Sequence, residues 1–352
     1  MLNPTSLKRG WCPTLDTPMQ TGDGLLVRVK PPAATLTPLQ AHALADAATT
    51  HGNGIIELTN RGNLQFRGLR PETTAPFAQA IRALGLALPP AQETRRPILP
   101  PPLLGADPTL SPNAAALTAH LEAAFQTDPR LANLPAKFTL AIQAGGILSN
   151  HPLPADLIAW TDGKTLDLHL PPSLPGRGRG WAAADAPPEP PAPVGPIPYP
   201  GTTQAAFGLA PPFGQLDATM LHHLADLAAH HATTIRITPW RTILLASIPQ
   251  TSLIDAPLFI TDPADPRLLV TACIGAPGCS RATVPTRQHA ALLRPTTRIH
   301  LSACPKGCAH PSPAPLTFVG NDGLYDLVQN GRASDNPTRT GLTPADLAQA
   351  TT

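Results

Sequence analysis

Apolar and polar positions along this chain follow one order of patterns, and the order occurs twice. Leu25 to Lys30 reads as a short strand. Thr37 is a helix N-cap candidate with Pro38 at the first helical position, and Gly52 closes that helix after His51. Ile55 to Leu58 and Leu64 to Arg67 read as strands around the turn residues Asn60, Gly62 and Asn63. A second helix, about Ala75 to Leu84, stops at Gly85. Residues 36–64 align without a gap with residues 216–244, identical at Leu36/Leu216, His42/His222, Leu44/Leu224, Ala45/Ala225, Asp46/Asp226, Ala48/Ala228, His51/His231, Ile55/Ile235, Arg61/Arg241 and Leu64/Leu244. The chain is internally duplicated. In the second copy Asp217 takes the capping place of Thr37, and Ile235 to Thr238 and Ile243 to Ser247 mirror the two strands.

Proline punctuates this plan. Residues 171–200 carry 11 prolines, with Gly176, Gly178 and Gly180 adding turns, so this stretch reads as an extended or irregular linker. A shorter run, Pro97 to Pro108, separates the first unit from an apolar block, Phe138 to Ile147. Two halves of two blocks each is the expected architecture.

The chain has 352 residues, room for about two domains. Lysine and arginine (25) nearly balance aspartate and glutamate (23), and aromatics are 4%, which disfavours a nucleic-acid partner. No apolar run reaches the ~18 residues of a membrane span, and the start lacks the apolar core of a secretory signal. A cytoplasmic location with no membrane partner is expected. No Gly-rich nucleotide signature is present, so reducing equivalents would arrive from a partner.

Four of the five cysteines form two clips, Cys273/Cys279 and Cys304/Cys308, with five and three residues inside them. Structural zinc favours clips of about two to four intervening residues, so the first clip is long for that habit. Four thiolates suit a 4Fe-4S cluster, and Gly275, Pro277, Gly278 and Gly307 let the backbone curl and aim N–H groups at sulfur. Zinc and a set of inert buried thiols are the alternatives. Cys12, outside the set, reads as a small buried hydrophobe.

The two clips resemble the cluster signature of the sirohaem nitrite and sulfite reductase superfamily. The resemblance extends to LTNRGNLQF (58–66), LPAKF (134–138), TRRPIL (94–99) and FVGNDGLYDLVQNG (318–331). It implies an α+β, internally duplicated nitrite/sulfite reductase-like fold with two ferredoxin-like half-domains and two cofactor-binding α+β blocks. The implied bounds are 10–90 and 201–250 for the half-domains, 91–170 for the first block, 171–200 for the linker and 251–352 for the cluster block. It also implies that Cys273, Cys279, Cys304 and Cys308 hold the cluster, and that Arg61, Arg96 and Lys137 bind a macrocycle, with Arg61 and Lys137 also catalytic.

Within the superfamily, PMQTGDGLLVRV (18–29), PLLGADP (102–108) and HLSACPKGCAHP (300–311) resemble the precorrin-3B synthase family. That branch implies an oxygen-dependent monooxygenase of aerobic cobalamin biosynthesis, which hydroxylates the tetrapyrrole precorrin-3A and closes a lactone. The cluster would relay electrons from an external reductase or ferredoxin, and a sirohaem or a non-haem iron is a further cofactor the resemblance allows. A sirohaem-dependent sulfite or nitrite reductase is the alternative, and there Cys308 would join cluster and haem. Against it, the reductase motif usually carries a second lysine two residues after the first, where this chain has Thr139. A bare electron carrier is a third reading, but it needs no basic pocket. His310 reads as a hydrogen-bonded histidine near the cluster rather than an iron ligand, Arg241 is open between function and structure, and His42, His51, His222 and His231 read as packing residues.

Overall fold

The computed structural model describes residues 12–93, 97–131, 133–135, 137–151, 153–170, 192–252 and 254–351. The first unit runs β1 (Met19–Thr21), β2 (Gly24–Val29), β3 (Thr35–Leu36), α1 (Pro38–His51), β4 (Ile55–Leu58), β5 (Leu64–Leu69), α2 (Pro71–Ala83) and the single turn α3 (Pro90–Glu93). A block follows of β6 (Ile98–Leu99), α4 (Ala114–Thr127), β7 (Leu140–Gln143), β8 (Leu157–Thr161) and β9 (Leu166–His169). The second unit runs β10 (Gly195–Pro198), β11 (Gln204–Leu209), β12 (Gln215–Asp217), α5 (Ala218–His230), β13 (Ile235–Ile237) and β14 (Ile243–Pro249). The last block holds β15 (Val270–Ala272), α6 (Thr286–Ala290), β16 (Ile299–Ser302), β17 (Ala314–Asn321), β18 (Leu324–Gly331), β19 (Arg339–Leu342) and α7 (Pro344–Thr351).

Local chemistry explains the helix ends. Thr37 and Gln40 form a reciprocal capping box, with Gln40 N donating to Thr37 Oγ1 at 3.2 Å and Thr37 N donating to Gln40 Oε1 at 2.9 Å. Asp217 does the same work for α5, accepting from Met220 N at 2.8 Å. Helix α2 starts at Pro71, four residues before the expected start, because Pro71 sets the helical φ and Thr73 Oγ1 accepts from Arg70 N at 3.0 Å. It ends at a left-handed Gly85 (φ 70°), where Leu86 N reaches back to Ile81 O at 3.2 Å. Part of the expected linker is also regular: Gly195–Pro198 pairs antiparallel with β11, an edge position that tolerates its prolines. Residues 171–191 lie outside the described residues.

The two half-domains exchange strands. One sheet has the order β1-β2-β5-β4-β12 and the other β10-β11-β14-β13-β3. Residues Ala33 and Ala34, and at the same repeat positions Phe213 and Gly214, take positive φ values. That left-handed turn throws the next strand off its own sheet and onto its mate's, pairing Leu216 with Ile56 and Leu36 with Ile235. Helices α1 and α5 pack together, and one hydrophobic core spans both copies, including Leu44, Phe66, Leu224 and Leu245.

At the centre of that contact the equivalent residues His42 and His222 meet, Nδ1 to Nδ1, at 2.9 Å. Their ring centres are 5.2 Å apart, the sum of that distance and the two ring radii, so the nitrogens face each other along one line, as in an N–H···N bond. Each outer nitrogen faces the aspartate of the opposite copy, His42 with Asp226 at 3.2 Å and His222 with Asp46 at 3.1 Å. His51 packs edge-on against Phe77.

The remaining two sheets share a topology. In the order β6-β7-β8-β9 the first three strands are parallel and the fourth antiparallel, and β15-β16-β17-β18 repeats this before β19 is added. Among the described residues, no helix is long and apolar enough to cross a membrane.

Because the half-domains share one core, they should unfold together. Leu44→Ala and its mate Leu224→Ala each remove a side chain with no exposed surface and should each cost about 2–5 kcal/mol. Urea unfolding followed by circular dichroism should show a single transition for both; a biphasic curve would mean that the halves are separable.

Candidate functional site

The parallel pair β15 and β16 places the cysteine loops side by side, since Ala272 is in register with Leu301 and both chains leave the sheet at the same edge. Cys273 follows β15 and Cys304 lies two residues past β16. Ala303 N donates to Cys273 Sγ at 3.1 Å, so the expected N–H to sulfur bond exists, although its donor comes from the neighbouring loop. Thr286 Oγ1 donates to Cys273 O at 2.7 Å and steadies the first loop. Gly275 needs its φ of 67°, and a Cβ there would meet Thr286 N at 2.5 Å.

The four thiols sit in one another's field. Desolvation, then Cys279 and Cys273, raises the Cys304 thiol above its ordinary range. Cys308 is exposed as a residue, yet desolvation of its thiol, reinforced by Cys304, Cys273 and Cys279, pushes it up to about 11. Bare, such thiols stay protonated, and four thiolates can coexist there only against compensating positive charge. Among the described residues no three His, Cys, Asp or Glu side chains converge tightly enough for a single metal ion. Cys273, Cys279, Cys304 and Cys308 are the residues that would hold a metal group here, and an iron–sulfur cluster would take each thiolate on a separate iron. The donor set fits a cluster.

Arg61 and Lys137 come together. Arg61 Nε donates to Thr139 Oγ1 at 2.9 Å and its Nη2 reaches Lys137 O at 3.4 Å. Thr139 is buried, and its N–H donates to Asp156 Oδ2 at 2.9 Å. A lysine at 139 could not accept from Arg61, so the threonine and the guanidinium fit each other. Beside them is a small open recess, with about 30 Å³ of cavity volume, lined by Cys12, Arg28, Lys30, Arg61, Asn63, Phe138 and Thr139 among others. Cys12 is thus half-buried at a basic recess rather than a core residue. Arg96 lies outside the described residues.

Sequence reasoning missed Arg28 and Lys30. Both carry charge at alternate positions of one strand end, which puts them on one face. Arg28 Nη2 donates to Gln65 Oε1 at 2.9 Å, while its Nε is buried without a hydrogen-bond partner. An orphaned guanidinium N–H beside two further cations fits a ligand rich in carboxylates. It also missed Arg67, Glu57 and Arg287; the first two signal themselves as lone charges inside apolar strands, whereas Arg287 stands among polar residues and gives no such signal.

Arg241, the repeat mate of Arg61, faces the cysteine block, where its Nη2 donates to Ala309 O at 3.1 Å. Desolvation, the largest effect on it, lowers its pKa, with Glu57 opposing and Arg287 assisting. Below the second cysteine loop lies His300, fully buried, with both ring nitrogens lacking partners. His310 packs edge-on against it and approaches Pro313 O with Nε2 at 3.3 Å, the hydrogen-bonded role expected for it.

Desolvation, then His310 and Arg241, lowers the His300 pKa from 6.5 to about 3. Between those values the unfolded chain binds a proton that the folded chain refuses, so stability is full above pH 6.5 and falls as the pH drops toward 3. His300→Leu should flatten this acid limb between about pH 6 and pH 4 in urea unfolding of metal-free protein. An unchanged slope would assign the acid sensitivity to other groups.

Comparison with known proteins agrees with this architecture. The family described as nitrite/sulfite reductase ferredoxin-like half domain matches residues 17–84 and 199–256, the two strand-exchanging units. The solved structure of the NirA protein of Mycobacterium tuberculosis superposes with a TM-score of 0.66 at 18% identity, covering 92% of this chain and 79% of that one. Ferredoxin–nitrite reductase of Synechococcus elongatus is 25% identical over 84% of this chain and 76% of its own length. Precorrin-3B synthase of a Sinorhizobium species is 31% identical over 95% of this chain and 85% of its own length. On that extent of identity the chain belongs to the precorrin-3B synthase family, an oxidoreductase branch of the nitrite/sulfite reductase superfamily.

Proposed function

We propose that this protein hydroxylates precorrin-3A with dioxygen and closes a lactone on the product, as a precorrin-3B synthase of aerobic cobalamin biosynthesis. The observation that carries the reading is the pairing of a four-thiol site with a separate basic recess in a chain that resembles precorrin-3B synthase along 95% of its length. One oxygen atom enters the product and the other leaves as water, which requires two electrons and two protons from outside the substrate. A 4Fe-4S cluster on Cys273, Cys279, Cys304 and Cys308 supplies electrons singly when bound.

The chain's own residues bind and orient. Arg61, Arg28 and Lys30 face one recess, where paired guanidinium and ammonium donors suit the carboxylates of a modified tetrapyrrole. Lys137 meets Arg61 through its backbone carbonyl, and Lys137 and Arg96 belong to the same proposed set. Thr139 fixes the Arg61 Nε, which leaves the recess one cation poorer than a reductase site with lysine at that position. Reduction of a small anion leans on such cations, so this feature favours the oxygenase over the alternative, a sirohaem-dependent sulfite or nitrite reductase. The reaction runs in the cytoplasm with a separate reductase or ferredoxin as donor.

The first test is the absorption spectrum of protein purified without oxygen, with iron and sulfide analysis. A broad cluster absorption without macrocycle bands, and oxygen uptake on adding precorrin-3A and a reductant, is expected; sharp sirohaem bands with sulfite or nitrite turnover would overturn the oxygenase reading. Cys279→Ser should abolish cluster assembly, and retention of full iron and acid-labile sulfide would remove the basis of the ligand assignment. Arg61→Ala should weaken tetrapyrrole binding on the order of ten- to hundredfold, the loss of one or two charged hydrogen bonds, with the cluster spectrum intact. Unchanged affinity in a tetrapyrrole titration would make Arg61 a structural residue.

A further inference from the structure

We infer that Gly22 and Arg67 of the first half-domain are positioning residues for the cysteine loop 273–279, holding Cys279 in place from outside the block that contains it. This rests on the reading of the four thiols as cluster ligands. The point of attachment is one carbonyl. Gly278 O, adjacent to Cys279, accepts from Gly22 N at 3.2 Å and from Arg67 Nη2 at 2.5 Å. Both of its lone pairs are thereby taken by another domain.

The approach leaves no slack. Gly22 sits at the tip of the β1–β2 hairpin, inside the TGDG stretch, and a Cβ on it would meet Pro277 O at 2.3 Å and the Cys279 carbonyl carbon at 3.1 Å. Only glycine lets the hairpin lie against this loop. Arg67 is 4% exposed and fixed on three sides. Its Nε and Nη2 fork the Asp23 carboxylate at 3.0 and 2.9 Å, and Nη1 donates to Glu57 Oε2 at 3.0 Å. The other Glu57 oxygen accepts from Arg287 Nη2 at 2.5 Å, and Arg287 comes from α6 of the cluster block and also bonds Gln215 of β12.

Two guanidinium groups and two carboxylates, with Arg67 and Glu57 buried and Asp23 and Arg287 half-buried, therefore tie the first half-domain to the cluster block, and Gln215 adds the second half-domain. Burial opposes the charge on Glu57, but Arg287 and Arg67 hold its carboxyl below the ordinary range. A buried ion pair adds little net stability over apolar packing, so stability alone does not account for four charges here. What this arrangement supplies is geometry: a guanidinium locked by two carboxylates presents its last N–H to one carbonyl in one direction. Of these charged groups the Arg67 guanidinium is the one that touches the loop, and its positive charge there favours the more reduced state of a cluster.

Gly22→Ala is the decisive variant, because every charge stays in place. Arg67→Met, which takes the guanidinium away from Gly278 O, Asp23 and Glu57 while Arg287 stays on Glu57, serves as the second. Both proteins, made and handled without oxygen, should show native circular dichroism but lose cluster absorbance to a chelator or to air faster than wild type, by a factor on the order of ten. Arg67→Met should also shift the cluster's reduction potential to a more negative value. Leu44→Ala, destabilised through the core alone, should decay at the wild-type rate. Wild-type cluster lifetime in Gly22→Ala, or equally fast decay in Leu44→Ala, would overturn the positioning role. Failure of the wild-type protein to assemble any cluster would instead overturn the functional reading on which it rests.

Discussion

The exchange of β3 and β12 between the two half-domains is the constraint from which the rest of the structure follows. Each sheet takes its fifth strand from the other copy, and the helices α1 and α5 that follow those strands are drawn into one shared core. Neither copy can complete its own sheet, so the relative placement of the two is set by backbone hydrogen bonds rather than by a surface that could slide. The turns carrying Arg61 and Arg241 are consequently held at fixed positions. Gly62, next to Arg61, lies so close to Ile237 O of the second sheet that a Cβ would approach it to 3.3 Å. The same exchange brings Gln215 beside Glu57, where Arg287 of the cluster block joins them.

Polar chemistry collects where units meet. The recess with Arg28, Lys30 and Arg61 opens between the first half-domain and the first block, and the buried charges of Arg67, Glu57 and Arg287 bind the first half-domain to the cluster block. Such placement follows from packing: each sheet has an apolar face committed to its own core, so charged residues survive inside the molecule only at seams, where partners from a second unit satisfy them. Thr139 shows how the seam is tuned. One hydroxyl in place of an ammonium lowers the local positive charge and orients Arg61 at the same time.

The element plan was largely legible in the chain. Strand Ile55 to Leu58 and helix α1 fall where the pattern of caps and apolar positions put them, because short-range rules govern them: a threonine cap, a proline at the first position, a stopping glycine. The duplication was legible because His42, Asp46, Leu44 and Arg61 recur at a constant offset, and in the structure the offset of 180 also relates β2 to β11. The start of α2 and the strand within the proline-rich stretch were less legible. The pattern leaves Pro71 outside the expected helix and assigns prolines 196 and 198 to an irregular linker, yet a helix start and a sheet edge are the places where a missing N–H costs nothing.

By itself, then, the sequence determined that this is a duplicated chain of strands and helices with four clustered cysteines, since those facts reside in local spacing or in identity between copies, while the role of Arg61 came from the resemblance of its motif. Only the tertiary structure decided that the copies trade strands, that Arg61 pairs with Thr139 while its mate Arg241 turns to the cysteine block, and that His42 and His222 meet across the helix contact. It alone brought Gly22 and Arg67 onto a carbonyl more than two hundred residues away, a separation of 211 for Arg67. The reason is physical: hydrogen-bond caps and turn glycines act over a few residues, whereas a buried charge is stable only beside a partner that the fold, not the chain, brings to it.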